Sequence, residues 1–253
     1  MEDRFAILPR LTAGGQRRLD VLAPEARRHA QRLLSRALGR SAARRADMFA
    51  LANLAPLSSA YVPWSTIAMR PSGVTAVLDD IVLRNRTRIV ECGAGITTLY
   101  IARLLRTRSG HLWSIEHDRE WADFIAAELA REQLSQSVTL IVAPLTADES
   151  QPDALPWYAR DILEQALGDA RFDLLIVDGP PAWTPDISSA RYPAVPFFAP
   201  RLAEDWTIIL DDLRRAAEDE IAARWESELG VPFKRQMVRG GIAIAHSRSG
   251  PVA

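Results

Sequence analysis

The sequence predicts an α/β fold, a doubly wound, mostly parallel seven-stranded sheet with a closing antiparallel hairpin strand and an N-terminal helical extension. Three observations predict it. From residue 74 onward, short β-branched and aliphatic runs alternate with helical stretches, the pattern of buried parallel strands joined by crossover helices. The first run passes through a two-glycine turn straight into a helix. The last two runs have only Arg239-Gly240-Gly241 between them, which favours a hairpin over a crossover.

The elements follow in order. Pro24 to Leu38 reads as a helix stopped at Gly39, and Ala42 to Leu54 as a second one ended by Pro56. Residues 58–73 carry Tyr61, Pro63, Trp64 and Pro71, too aromatic for a plain linker, and are expected to act as a lid. Helical spacing over Val74 to Arg84 leads to the strand Thr87–Glu91, then a helix over Ile96–Leu105. The strand His111–Glu116 precedes a helix over Asp118–Arg131, and the strand Val138–Val142 a helix over Trp157–Leu167. Strand Asp173–Asp178, helix Ala190–Leu202, strand Trp206–Asp211 and helix Leu213–Leu229 continue the alternation. The extended runs Phe233–Val238 and Gly241–His246 close it, the last of them antiparallel at or near the sheet edge. Residues 1–73 form the extension and 74–253 the principal domain.

Composition supports one large domain. The 253 residues, 48% hydrophobic and 25% charged, are ample for a core without covalent staples. A lone Cys92 excludes an intramolecular disulfide and any multi-cysteine metal site. Nothing resembles a membrane span or a signal peptide, so the expected setting is cytoplasmic. The near balance of 31 Lys+Arg against 32 Asp+Glu hides an asymmetry: residues 1–50 hold eleven Arg and five acidic residues, leaving the remainder net negative by seven. Those Arg residues lack interleaved aromatics, which favours a solvated helix face over a nucleic-acid patch.

In an open parallel sheet, ligands sit outside the carboxyl ends of the strands. Those ends carry Glu91, Glu116, Val142–Leu145, Asp178 and Asp211-Asp212. Glu91-Cys92-Gly93-Ala94-Gly95-Ile96-Thr97 turns from the first strand into a helix, where glycines allow close approach of a ligand and the helix start offers N–H groups. Glu116 ends the second strand, 21 residues after Gly95, where a carboxylate can accept both hydroxyls of a ribose. Together these predict an adenosine-containing ligand. A dinucleotide fingerprint would need a third glycine where Thr98 stands, and Glu91 would repel a pyrophosphate. A cationic ligand with an α-amino group and a sulfonium suits that carboxylate.

On these motifs the sequence resembles the class I S-adenosylmethionine-dependent methyltransferases, with their Rossmann-like fold. The match spans about residues 74–246 and rests on the E-x-G-x-G turn (Glu91, Gly93, Gly95), Glu116, Asp178-Gly179-Pro180 and Leu210-Asp211-Asp212. The ECGAGITT and IVDGPP blocks look most like a bacterial branch of small-molecule or glycan O-methyltransferases. The resemblance implies that S-adenosylmethionine contacts Glu91, Gly93, Ala94, Gly95, Thr97, Glu116, His117 and Asp178, with adenine near Ala143, Pro144 and Leu145. It also implies in-line methyl transfer to a hydroxyl of a small molecule or sugar, with Asp178 as the first candidate base and His117 as another.

Asp178, Asp211 and Asp212 further resemble the metal-binding set of catechol-type O-methyltransferases, which would hold Mg²⁺. That family usually has Asn at the last position. The alternative is that Asp212 caps the following helix. Cys92 reads as a packing residue, and His29, His111 and His246 lack metal-site spacing. Trp157, Tyr158, Trp183, Arg191 and Tyr192 either line the acceptor pocket or pack in the core.

Other functions stay open at this point. Asp178-Gly179-Pro180-Pro181-Ala182-Trp183 partly echoes the motif of nucleic-acid amino-methyltransferases, but the inserted glycine shifts its geometry. A non-catalytic cofactor-binding or interaction protein is the remaining alternative. The expected partner is a small-molecule hydroxyl acceptor, not a membrane and not a nucleic acid. Oligomeric state is left open.

Overall fold

A computed structural model describes residues 24–58, 60–147 and 155–247, with side chains from Leu38 onward. Nine strands and seven α-helices are ordered along it: α1 (Pro24–Leu54), α2 (Pro71–Leu83), β1 (Arg88–Cys92), α3 (Ile96–Leu105), β2 (His111–Glu116), α4 (Arg119–Arg131), β3 (Val138–Val142), β4 (Leu145–Ala147), β5 (Pro156–Tyr158), α5 (Arg160–Leu167), β6 (Phe172–Val177), α6 (Ala194–Phe198), β7 (Leu202–Leu210), α7 (Ala216–Leu229), β8 (Lys234–Gln236) and β9 (Ile242–His246). Seven of the strands form one sheet in the order β3-β2-β1-β6-β7-β9-β8. Pairing is parallel from β3 through β7, and β9 runs antiparallel to both β7 and β8. The expected sheet is present, and the last strand runs antiparallel near its edge as expected: β9 lies one position in, and β8 covers it.

Both faces of the sheet are buried, which is why its strands read as apolar runs and not as alternating ones. Successive residues point to opposite faces. Val90, Leu175, Val177, Ile208 and Leu210 pack with Leu163 and Leu167 of α5, Phe197 and Phe198 of α6, and Ile221 and Trp225 of α7. Their neighbours Ile89, Leu174, Ile176 and Ile209 pack with Val77 and Ile81 of α2, Leu99 and Ile101 of α3, and Ile125 and Leu129 of α4. Order reverses between β1 and β6, so the loops leaving these two adjacent strands diverge and open a crevice at the sheet's carboxyl edge.

The helical extension differs from expectation. Gly39 does not stop a helix; α1 runs unbroken from Pro24 to Leu54. A single glycine costs about 1 kcal/mol in a helix interior, too little to end one without a proline or a cap beside it. Asp47 fastens α1 to the sheet: its carboxylate accepts hydrogen bonds from Arg70 Nε (3.0 Å), Arg70 Nη2 (2.6 Å) and Ser72 Oγ (2.5 Å). Ser72 Oγ in turn accepts the Gly240 N–H (2.8 Å), linking the extension to the closing hairpin. The expected boundary at residue 73 therefore falls inside α2, which begins at Pro71 and covers the sheet directly.

Three further boundaries moved. Trp157 and Tyr158 belong to β5, paired antiparallel with β4, and the helix begins only at Arg160. The stretch expected as helix over 190–202 shrinks to α6 and a 3-10 turn, because Pro193, Pro196 and Pro200 remove backbone donors. The β8–β9 connection spans residues 237–241, and Gly241 N–H donates to the Gln236 carbonyl (3.0 Å). Among the described residues, no helix is long and apolar enough to cross a membrane.

Candidate active site

The turn after β1 is held from below. Gly95 N–H donates to Thr98 Oγ1 (2.8 Å), which donates to Glu91 Oε2 (2.6 Å), and Ser114 Oγ donates to the same oxygen (2.8 Å). Glu91 is wholly buried, and burial pushes its carboxyl up to about 7 against the opposing effect of the Thr98 and Ser114 hydrogen bonds. It supports the turn and does not line the cavity in front of it.

Gly93 adopts φ +95°, a conformation that favours glycine. It also meets the loop after β6 at close range: a Cβ on Gly93 would lie 3.0 Å from the Gly179 nitrogen, and one on Gly179 would lie 2.9 Å from Gly93 Cα. The two glycines let the β1 and β6 loops touch at the bottom of the crevice. Cys92, just behind them, is buried in the core as expected of a packing residue.

Glu116 projects from the end of β2. Its Oε2 accepts the Ala94 N–H (3.1 Å), while Oε1 accepts the backbone N–H groups of His117 (2.7 Å) and Asp118 (2.8 Å). His117 Nδ1 stands 2.6 Å from the same Oε1, and that hydrogen bond raises the imidazole pKa against the effect of burial. Trp121 Nε1 donates to the Ala94 carbonyl (2.8 Å), closing this side of the turn.

These groups surround one cavity of about 440 Å³. Gly93, Ala94, Gly95, Thr97, Glu116, His117 and Asp178 all line it, and Asp212 reaches its far end. Pro63, Ser65, Ile67, Ala68 and Met69, from the stretch expected as a lid, form part of its wall. Ala143, Pro144, Leu145 and Asp211 lie off the lining. Ala143 is instead core, its N–H donating to the Glu116 carbonyl (2.8 Å).

The far end is dominated by charge. Asp178, Asp211 and Asp212 bring carboxylate oxygens within 4.8 Å of one another. Burial, and then the neighbouring Asp211, raise the Asp178 carboxyl well above the carboxylate range; burial and then Asp212 raise Asp211 to about 7. The buried Arg191 threads this group. Its Nη2 donates to the Asp178 carbonyl (2.6 Å) and lies 3.4 Å from Asp178 Oδ1; its Nε donates to the Pro180 carbonyl (3.2 Å). Arg191 Nη1 is 3.1 Å from Asp212 Oδ2, and Arg215 Nη2 is 2.6 Å from the same oxygen. The trio expected to hold Mg²⁺ is therefore assembled, yet it is already paired with two guanidinium groups. As it stands it does not fit a divalent cation, which would have to displace those guanidinium groups from the carboxylate oxygens it needs.

S-adenosylmethionine fits better. An acidic strand end with a free lone pair on Glu116 Oε2, a glycine turn without side chains and an apolar wall from Ile67 to Met69 meet in a single cavity of suitable size. Sequence reasoning placed the strand-end residues and offered Arg191 and Tyr158 only as alternatives to core packing. Trp121 fell within the helix read over Asp118–Arg131, and neither it nor Arg215 was given a role. Arg191 in an otherwise apolar stretch was the available signal.

A glycine turn after β1, an acidic end to β2 and a parallel sheet closed by an antiparallel strand define an α/β protein built around a nucleoside-containing cofactor. A family model described as a methyltransferase domain matches residues 90–213, from within β1 to just past β7. That match puts a methyltransferase domain on this chain and, with the glycine turn and Glu116, supports a class I S-adenosylmethionine-dependent methyltransferase. Two solved structures share its fold. One, from Staphylococcus aureus and assigned as a caffeoyl-CoA O-methyltransferase, has 13% identity and a TM-score of 0.53, covering 78% of this chain and 90% of its own. The other, the Podospora anserina methyltransferase PaMTH1 solved with SAH, has 14% identity and a TM-score of 0.51, covering 88% of this chain and 97% of its own. No curated protein sequence matches significantly.

Proposed function

We propose that this methyltransferase acts on a hydroxyl group of a small molecule or sugar, with Asp178 taking the hydroxyl proton. One observation carries the reading: Asp178 lines the cavity at the β1/β6 crossing, next to the glycine turn, as a half-buried carboxylate whose raised pKa makes it a stronger base than an exposed one. When bound, S-adenosylmethionine supplies a methyl group activated by positive sulfur. The chain's own work is to bind, orient and deprotonate. Glu116 accepts ribose hydroxyls, the Gly93-Ala94-Gly95 turn admits the methionine portion, and His117 holds Glu116 in place. Exposed Trp183 with Pro180 and Pro181 at the rim gives an acceptor an apolar surface to lie on.

Residues 58–73 are read as a lid, on the ground that Pro63, Ser65, Ile67, Ala68 and Met69 wall the cavity. The single buried cysteine suits a cytoplasmic setting. The test is a pair of variants assayed for S-adenosylhomocysteine formation with a panel of phenols and sugars. Asp178→Asn should lower turnover about 10²- to 10⁴-fold with little change in cofactor affinity. Glu116→Ala should mainly weaken cofactor binding. Equal effects of both on cofactor affinity would refute the division of roles, and methylation confined to amines would refute the hydroxyl acceptor.

A further inference from the structure

Resting on that reading of the site, we propose that Arg191 is the resident cation of the acceptor end. It stands where a divalent ion would otherwise gather Asp178, Asp211 and Asp212. With the Tyr158 hydroxyl it receives an acceptor oxygen that carries negative charge, that of a phenol or enol. The acceptor class is thus an acidic hydroxyl, and the reaction needs no divalent metal.

The argument begins with Arg191's position. Its side chain is 4% exposed, yet it lines the cavity. Two backbone carbonyls, of Asp178 and Pro180, fix the guanidinium plane at 2.6 Å and 3.2 Å, so its place does not depend on the carboxylates alone. Asp212 at 3.1 Å and Glu218 at 3.9 Å flank Nη1. A guanidinium keeps its charge at any working pH, so the trio always contains a cation. A second, divalent cation entering the same few ångströms would meet direct repulsion.

Two buried donors in this cavity keep hydrogen-bonding capacity for a ligand. Among the described residues the Tyr158 hydroxyl makes no hydrogen bond, and Arg191 Nη1 makes none of good geometry, meeting Asp212 Oδ2 at 3.1 Å as an ion pair only. Tyr158 is fully buried, on β5, and its hydroxyl reaches the Gly93/Gly179 crossing: a Cβ on Gly179 would lie 2.5 Å from it. A buried donor left unsatisfied costs about 1–3 kcal/mol. A ligand oxygen received by the Tyr158 hydroxyl would remove that cost, and the second N–H of Arg191 Nη1 can reach the same oxygen. An oxyanion gains most from a buried guanidinium, because charge-assisted hydrogen bonds are roughly twice as strong as neutral ones. A neutral amine gains least. That preference selects the acceptor, while Asp178 beside it takes the proton that an acidic hydroxyl gives up.

The experiment uses the full-length chain, with S-adenosylhomocysteine and 4-nitrophenol as probes. Binding of ionised 4-nitrophenol to the S-adenosylhomocysteine complex is read from its visible absorbance, and Mn²⁺ binding from its electron paramagnetic resonance signal. Wild type should bind 4-nitrophenolate and leave millimolar Mn²⁺ free. Arg191→Met should weaken 4-nitrophenolate about 10- to 100-fold, the loss of one or two hydrogen bonds to a charged group. Arg191→Lys should recover part of it, and Tyr158→Phe should lose about tenfold. S-adenosylhomocysteine affinity should stay within a few-fold of wild type in all three. Stoichiometric Mn²⁺ binding by wild type that Asp212→Asn abolishes would overturn the proposal. So would 4-nitrophenolate binding that is absent in wild type, or unchanged in the variants. Should Arg191→Met fail to fold, Tyr158→Phe and the wild-type Mn²⁺ titration decide. Failure of wild type to bind S-adenosylhomocysteine would instead remove the methyltransferase reading beneath it.

Discussion

Glu91→Gln is expected to stabilise the protein, and only at neutral and alkaline pH. The carboxyl moves from 4.5 to about 7 because it is wholly buried, and the hydrogen bonds from Thr98 and Ser114 only partly offset burial. The folded state thus holds this proton more tightly than the unfolded chain does. Its contribution to stability is full below about pH 4.5, falls as pH rises, and is lost as pH passes about 7. At 1.36 kcal/mol per pK unit, wild type loses about 3 kcal/mol from this one group over that window. Glutamine can accept the Thr98 and Ser114 hydroxyls through its carbonyl oxygen and never ionises. The variant should therefore match wild type near pH 4 and exceed it by about 3 kcal/mol at pH 8, which in a chain of this size is roughly 6–12 °C in Tm. Urea unfolding and thermal melts of both proteins across that pH range measure it. A difference that stays flat with pH would refute the reasoning, because Glu91 would then be ionised throughout or hydrated.

Two other substitutions probe the frame of the site. Gly179→Ala places a methyl 2.5 Å from the Tyr158 hydroxyl and 2.9 Å from Gly93 Cα, so it should cost about 1–3 kcal/mol and sharply weaken S-adenosylhomocysteine binding; unchanged affinity by calorimetry would contradict the close loop contact. Arg103 is buried and donates to both Glu132 oxygens at 2.9 Å and 2.6 Å, tying α3 to the residue that ends α4. Arg103→Ala should cost about 3–5 kcal/mol by stranding the carboxylate, and replacing both residues with methionine should recover most of it in urea unfolding. A single-variant loss below about 1 kcal/mol would mean that the pair is hydrated.

Much of this frame is legible in the sequence for a simple reason. Strands buried between helix layers read as apolar-rich runs bounded by turn residues, so β2 and the half-buried edge strand β3 stand where His111–Glu116 and Val138–Val142 were read. Glycines and acids at strand ends marked the crevice, and the same logic gathered Gly93, Gly95, Glu116 and Asp178 around one cavity. What sequence periodicity could not carry was depth. Glu91 looks like a ligand-facing carboxylate, yet it points beneath the turn to Thr98 and Ser114. Short segments were equally opaque: Trp157 and Tyr158 suit a helix start or a strand, and only the antiparallel partner Leu145–Ala147 decides. Arg191 gains its role from Asp178, Pro180 and Asp212, which the connections after β6 and after β7 bring together, and no local spacing encodes that meeting.

The central claim is that the cavity between the β1 turn and Glu116 holds S-adenosylmethionine. Isothermal titration of the full-length chain with S-adenosylmethionine, S-adenosylhomocysteine and NAD tests it most directly. The account predicts one site per chain for each sulfur ligand, weakened in Glu116→Ala, and no binding of NAD. NAD binding without either sulfur ligand would contradict it.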